Sequence, residues 1–411
     1  MTEGALQARR KDSGPAIFSE VSNQLDSADG WILTGAEIKR PGEPKIGAPG
    51  SGECDQMKTT NWNYSTAVVL SGLLALAFLS TAQLSTAPAA KPYSIVNTTQ
   101  TMGSGGIDYV YADNDGGRLY IPRGGEVLVF DLENLKPVGS ITNARARGVA
   151  VDPKSHHGFC SSSPVVMWDT RTLKPVKTIE VQGRPDGIFF EAMTERIYVF
   201  SHTEPNATVL DAKDGSIVGT IDLGGAPEQA ASDGEGHLYV DLEDKDQIAV
   251  VDVKTLKVTA HYELGGKGGG PAGLALDAKN HILFAFCRNP ATAVILNAAD
   301  GKIITTLPIG KGSDGGLFNP KTMEAFSSQG DGTLTVIKET SPTGFEVEQT
   351  LETKPRAKTC ALDTRKDQVV LITIEPSAAP AAATSTNDQP GKKRGGRNDG
   401  PGMLDILVVG R

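Results

Sequence analysis

The stretch Glu126-Val-Leu-Val-Phe-Asp131 returns five more times in altered form, as Val166-Met-Trp-Asp169, Thr208-Val-Leu-Asp211, Ala249-Val-Val-Asp252, Val294-Ile-Leu-Asn297 and Thr335-Val-Ile-Lys338. From Asp131 the successive anchors lie 38, 42, 41, 45 and 41 residues apart, the period of a four-stranded propeller blade. One such array can use most of a 411-residue chain without dividing it into domains. Forty-seven glycines, few aromatics and short apolar runs suit many short strands joined by tight turns.

From Lys91 onward each blade can be written as four strands, a to d from the propeller axis outward. In the third, Gly187-Ile-Phe-Phe190 is strand a, Arg196-Ile-Tyr-Val-Phe200 strand b, Ala207-Thr-Val-Leu-Asp211 strand c and Ser216-Ile-Val-Gly-Thr-Ile221 strand d. The c-to-d turn Lys213-Asp-Gly215 is an Asp-Gly hairpin signal, repeated at Ala299-Asp-Gly301. At Leu132 to Leu135, Thr170 to Leu173 and Lys254 to Leu256 a longer turn is expected. The repeated aspartates themselves read as turn formers.

The last blade has Thr359 to Asp363 as strand a, Gln368 to Thr373 as strand b and Leu404 to Val409 as strand c, with no strand d after it. Tyr93 to Gly103 reads like Ile217 to Gly224, a d strand leading into the next blade. The expected fold is therefore all-β: a seven-bladed β-propeller of four-stranded antiparallel blades, closed by pairing of an N-terminal strand with the C-terminal blade. Closure of this kind removes the open edge of an incomplete blade.

The ends have other compositions. Residues 1–56 are polar and acidic on balance, without strand or helix periodicity, and are expected to be disordered or a mis-called extension. Residues 57–90 read as a secretory signal: Met57-Lys58, a 13-residue apolar run from Ala67 to Leu79, and cleavage options after Ala82, Ala87 or Ala89. That run is too short for a membrane span and contains Ser71 and Gly72. On this reading Met57 is the start, and the protein is periplasmic or secreted. Within the propeller, residues 91–411, residues 376–403 form a Pro-, Ala- and Gly-rich insertion carrying Lys392, Lys393, Arg394 and Arg397.

The array from about Lys91 to Arg411 resembles the YVTN-type, YncE-like bacterial β-propellers. The resemblance rests on Arg196-Ile-Tyr-Val, His237-Leu-Tyr-Val and Arg118-Leu-Tyr-Ile, on the c-strand aspartates, and on d strands of the form Val-Gly-Thr-Ile followed by Gly-Gly. It implies seven blades and export. The Tyr-Val-Thr-Asn tetrad itself is absent, so the chain would be a diverged member, and no active site carries over.

Function is expected in the loops that do not repeat, above all those from strand d to strand a at one rim of the tunnel. These carry Arg145, Arg147, Arg184, Lys267, Lys311, Arg356 and Lys358 against Asp108, Asp186, Glu228 and Asp314, seven positive and four negative groups. A concave basic rim would favour an anionic ligand; solvated side chains paired with those acids are the plainer reading. The net charge of -9 argues against a surface that grips nucleic acid throughout. The basic insertion is the one stretch whose composition suits nucleic acid, a cell-wall polymer or another acidic partner.

No cofactor or metal is expected. Cys54, Cys160, Cys287 and Cys360 have no metal-ligand spacing, and the last three fall on inner strands as small apolar residues. His202 with Glu204 is the one His-carboxylate pair facing the rim, and no third ligand is identifiable. Neither a G-x-S-x-G elbow nor a phosphate loop nor a C-x-x-C-H haem motif occurs. The leading expectation is an exported, monomeric, non-enzymatic binding or scaffold protein that holds a small anionic ligand, a protein or a polymer. The alternative is a lactonase-like hydrolase using Asp186, Asp314, Glu228 and His202. A third, an electron-transfer accessory, has only fold analogy behind it.

Overall fold

The computed structural model describes residues 91–204, 206–376 and 401–411. The expected extension, signal segment and most of the insertion lie outside the described residues. Seven antiparallel sheets of four strands are arranged as the period requires. The first blade comprises Tyr111–Asp113, Arg118–Arg123, Glu126–Asp131 and Pro137–Thr142. The others follow in chain order, beginning at Val149, Pro185, Pro227, Pro271, Ser313 and Cys360. In the seventh, strand b is Gln368–Pro376 and strand c is Pro401–Gly410. Both run further toward the insertion than their apolar cores suggest, because Ile374, Glu375 and Pro376 pair with Leu404, Met403 and Gly402. No helix of the described residues is long and apolar enough to cross a membrane.

Inner strands are buried on both faces, so strand b of the fifth blade, Ile282–Arg288, is apolar at six successive positions before Arg288. Outer strands touch solvent on one side, and Lys257–Glu263 alternates exposed and half-buried residues along its length. Side chains from adjacent blades interlock in seven apolar clusters, one for each blade-to-blade contact. Tyr198 and Phe200 of the third blade pack on Leu238 and Val240 of the fourth, while Ile197 and Val199 face Phe159 and Met167 of the second. The cluster joining Leu119 and Ile121 of the first blade to Val370, Ile372 and Ile406 of the seventh completes the ring.

That closure uses the N-terminal strand Ser94–Ser104, which pairs with Pro401–Gly410 from Ser94↔Gly410 to Ser104↔Pro401. Tyr93 fastens the start of the strand. Its hydroxyl donates to Glu324 Oε2 at 2.5 Å, and the Arg411 guanidinium lies 4.3 Å over its ring.

The c-to-d turns depart from expectation at three places. Asp131, Asp169, Asp211, Asp252 and Asn297 all accept backbone N–H bonds from residues two or three positions on, which is how these aspartates build turns. The fourth residue after each donates back to the anchor's carbonyl, whether it is Leu135, Leu173, Gly215, Leu256 or Gly301. All five have positive φ, from 56° to 72°. The turn is therefore the same one throughout, not longer where Gly is replaced. Leucine tolerates the left-handed conformation here because its side chain packs into an inter-blade cluster, as Leu135, Leu173 and Leu256 do.

Candidate functional site

At the end of strand a in each blade, or one residue past it in the fourth, a polar residue caps the following turn: Asp113, Asp152, Glu191, Asp233, Asp277, Asn319 and Asp363. Five residues before each cap stands the equivalent position at the tunnel mouth, occupied by Asp108, Arg147, Asp186, Glu228, Ala272, Asp314 and Lys358. Six of the seven are charged. At the seventh, Ala272, the charge comes from Arg288 at the end of strand b in the same blade. His202 and Glu243 hold the matching strand-b position in the third and fourth blades, each six residues after the one paired with the c-strand anchor.

The result is a closed collar of ion pairs. Arg147 Nη1 lies 3.0 Å from both Asp108 and Asp186. Arg288 contacts Glu243 and Asp314, and lies 3.7 Å from Glu228. Lys358 contacts Asp314 and lies 4.0 Å from Asp108. His202 Nε2 approaches Asp186 Oδ2 at 3.2 Å and Glu228 Oε1 at 3.6 Å, while its Nδ1 faces Glu243 at 3.9 Å. Asp186, Glu228 and Asp314 are buried, whereas the Arg147 and His202 side chains keep about a third of their surface.

Beneath the collar, the next residue along the chain is Gly148, Gly187, Gly273, Gly315 and Thr359 in five blades, but Tyr109 and Gln229 in the other two. Tyr109 reaches across from the first blade and donates to Glu228 Oε2 of the fourth at 2.7 Å. The Gln229 side chain ties the fourth blade to the fifth and sixth through Leu274 and Gly316. Along the tunnel below is a cavity of about 300 Å³ lined by Tyr111, Val149, Ile188, Phe189, Phe190 and Ala361 among others.

Burial dominates the chemistry of the acids. It raises the Glu228 carboxyl to about 8, with Asp314 adding to the effect and Tyr109 and Arg288 opposing it. Burial also raises Asp186, though Arg147 pulls it back. Asp241, on strand b of the fourth blade, is fully buried, and neither of its oxygens accepts a hydrogen bond among the described residues. Burial, with Glu228 second, pushes its carboxyl well above the usual carboxylate range. For Arg288 and Lys358, burial works against the charge, but the surrounding carboxylates, Asp314 first among them, together outweigh it and both stay protonated.

Of the ten rim residues expected from sequence, Arg147, Asp186, Glu228, Asp314 and Lys358 join the collar. Arg184 is exposed and lines a small pocket beside Arg147, Asp186 and His202. Arg145, Lys267, Lys311 and Arg356 are exposed and stand apart from the collar's ion pairs; Arg356 binds the Ile374 carbonyl at 2.7 Å instead. Within the collar's ion pairs the acids outnumber the permanent cations. Five carboxylates, Asp108, Asp186, Glu228, Glu243 and Asp314, meet three permanent cations, Arg147, Arg288 and Lys358. His202 finds Asp186 and Glu228, while Glu204 lines a neighbouring pocket with it. Sequence reasoning missed Arg288, Glu243 and Tyr109. The signal available was a charged residue at one strand-b position in three successive blades.

No family model matches the chain, and no curated protein matches it. Solved structures match by fold. One, titled "Crystal Structure of Mitotic Checkpoint Complex", superposes with a TM-score of 0.60 at 12% identity, over 73% of this chain and 96% of that one. In all, 1668 solved chains match, too broad a set to point to one activity.

Proposed function

We propose that this protein is a binding protein that takes a small ligand at the charged collar, with the ligand's apolar part in the tunnel. The observation that carries the reading is the stacking of a polar ring on a largely apolar cavity of about 300 Å³. The collar's carboxylate excess favours a cationic or proton-donating head group. It fits an anion less well, because Arg147, Arg288 and Lys358 are each already held by carboxylates. The repeat elements support grouping the chain with YVTN-type propellers, and residues 57–90 support export. Mass spectrometry of the exported chain tests the second point, and a peptide from residues 1–56 in the mature form would refute it.

The binding test is a thermal-shift and calorimetric screen of matched amphipathic amines and carboxylic acids. Amines should raise the melting temperature, and Glu228→Gln should weaken them. Binding confined to acids and lost in Arg147→Gln would overturn the charge assignment.

A second reading, lactone hydrolysis, is favoured by one arrangement: His202 beside Asp186 and Glu228, the latter raised to about 8. A carboxyl group raised this far can exchange protons near neutral pH. Lactone opening that disappears in His202→Ala would support it; equal rates in wild type and variant would remove it.

A further inference from the structure

We infer that Asp186, His202 and Glu228 bind one divalent transition-metal ion of the zinc class, with solvent or ligand completing its coordination. The inference rests on the collar being the binding site: the ion takes the carboxylate gap that a cationic head group would otherwise occupy, so metal and amine compete for it. One ligand atom from each residue lies within 4.8 Å of the other two. Bonds of about 2.1 Å to imidazole nitrogen and carboxylate oxygen place neighbouring ligand atoms roughly 3.0–3.5 Å apart. The observed separations from His202 Nε2 are 3.2 Å and 3.6 Å.

The remaining atoms of each residue already have orienting partners. Glu228 uses Oε2 for the Tyr109 hydroxyl at 2.7 Å and turns Oε1 toward His202. Asp186 turns Oδ1 toward Arg147 and Oδ2 toward His202. The His202 Nδ1 lies 3.9 Å from Glu243, beyond hydrogen-bond reach but on the side where a metal-bound histidine takes its outer carboxylate. The charge balance of the collar also favours a cation in the gap. Five acids, Asp108, Asp186, Glu228, Glu243 and Asp314, share three permanent cations, Arg147, Arg288 and Lys358. A divalent ion neutralises that excess.

Two of these side chains come from neighbouring strands a, and His202 directly follows a strand b, so the site is held by the sheets themselves. Imidazole with two carboxylates suits zinc or manganese better than calcium or magnesium, which favour oxygen ligands throughout.

The test uses the full chain, freed of metal with a chelator and titrated with Zn²⁺ by calorimetry and with Co²⁺ by visible absorption. One ion should bind per chain, with cobalt bands displaced by zinc and no comparable uptake of Ca²⁺ or Mg²⁺. His202→Ala and Asp186→Asn should each weaken binding at least about tenfold, with Glu204→Gln unchanged. The wild-type cobalt spectrum reports imidazole coordination even if a variant fails to fold. No uptake at a cobalt concentration of about 1 mM, or uptake unchanged in His202→Ala, would overturn the assignment. Repeating the amine screen in chelator separates the two claims. Organic binding without metal uptake ends the metal site alone, and metal uptake without organic binding ends the ligand reading alone.

Discussion

Glu339 of the sixth blade is 4% exposed and shares its site with Asp277 of the fifth, with Asn280 donating to Glu339 Oε1 at 2.8 Å. Burial, with Asp277 adding, raises Glu339 to about 7 against the usual 4.5. The folded protein therefore holds a proton that the unfolded chain releases. That contribution to stability is complete below about pH 4.5 and is lost as pH rises through about 7. Glu339→Gln should flatten the stability profile across this window and gain on the order of 1–2 kcal/mol at pH 8, read by urea unfolding at several pH values. An unaltered profile would place the proton elsewhere. Residues such as this were not legible in the sequence, and for Arg288 in the collar the recurring charge at the end of strand b gave the position but not the partners. A charged letter within or ending an apolar strand does not say which neighbouring blade its side chain meets. Asp108, Asp186, Glu228 and Asp314 were legible because each sits at a blade's entry. Arg145 and Arg147 lie two residues apart, yet only Arg147 stands at the collar position.

Among the elements, strand a carries the tightest constraint. A Cβ on Gly187 would lie 2.7 Å from the Glu228 carbonyl oxygen, and one on Gly273 would lie 2.8 Å from the Gly315 carbonyl carbon. These neighbours are backbone, so they cannot rotate away. Gly273→Ala should therefore cost about 1–3 kcal/mol through overpacking, seen as a lower urea midpoint with an unchanged slope. A midpoint within error of wild type would show that the strands can spread. Strand placement itself was readable from the repeat, since an aspartate or asparagine at a fixed point of strand c marks where five of the hairpins turn. Leu135, Leu173 and Leu256 were misread as belonging to longer turns, because local propensity favours Gly at positive φ while burial in a neighbour's cluster decides the outcome.

On the scale of the whole molecule, the seven blades and the terminal strand exchange followed from the period and from a final blade one strand short. Removing residues 93–104 should leave strand Pro401–Gly410 as a bare edge, giving aggregation or a lowered melting temperature on size-exclusion and thermal analysis. A synthetic peptide of the same residues, added in trans, should restore the wild-type elution and melting. Unchanged melting of the truncated chain would refute the closure. The same joint has a mechanical consequence. Because Ser94 pairs with Gly410, the two ends leave the sheet side by side. Tension drawing them apart would break the pairs one after another, as a zip opens, where a pull along the strands would load every bond at once. The first resistance would be the Tyr93, Glu324 and Arg411 cluster, a clasp at the mouth of the zip.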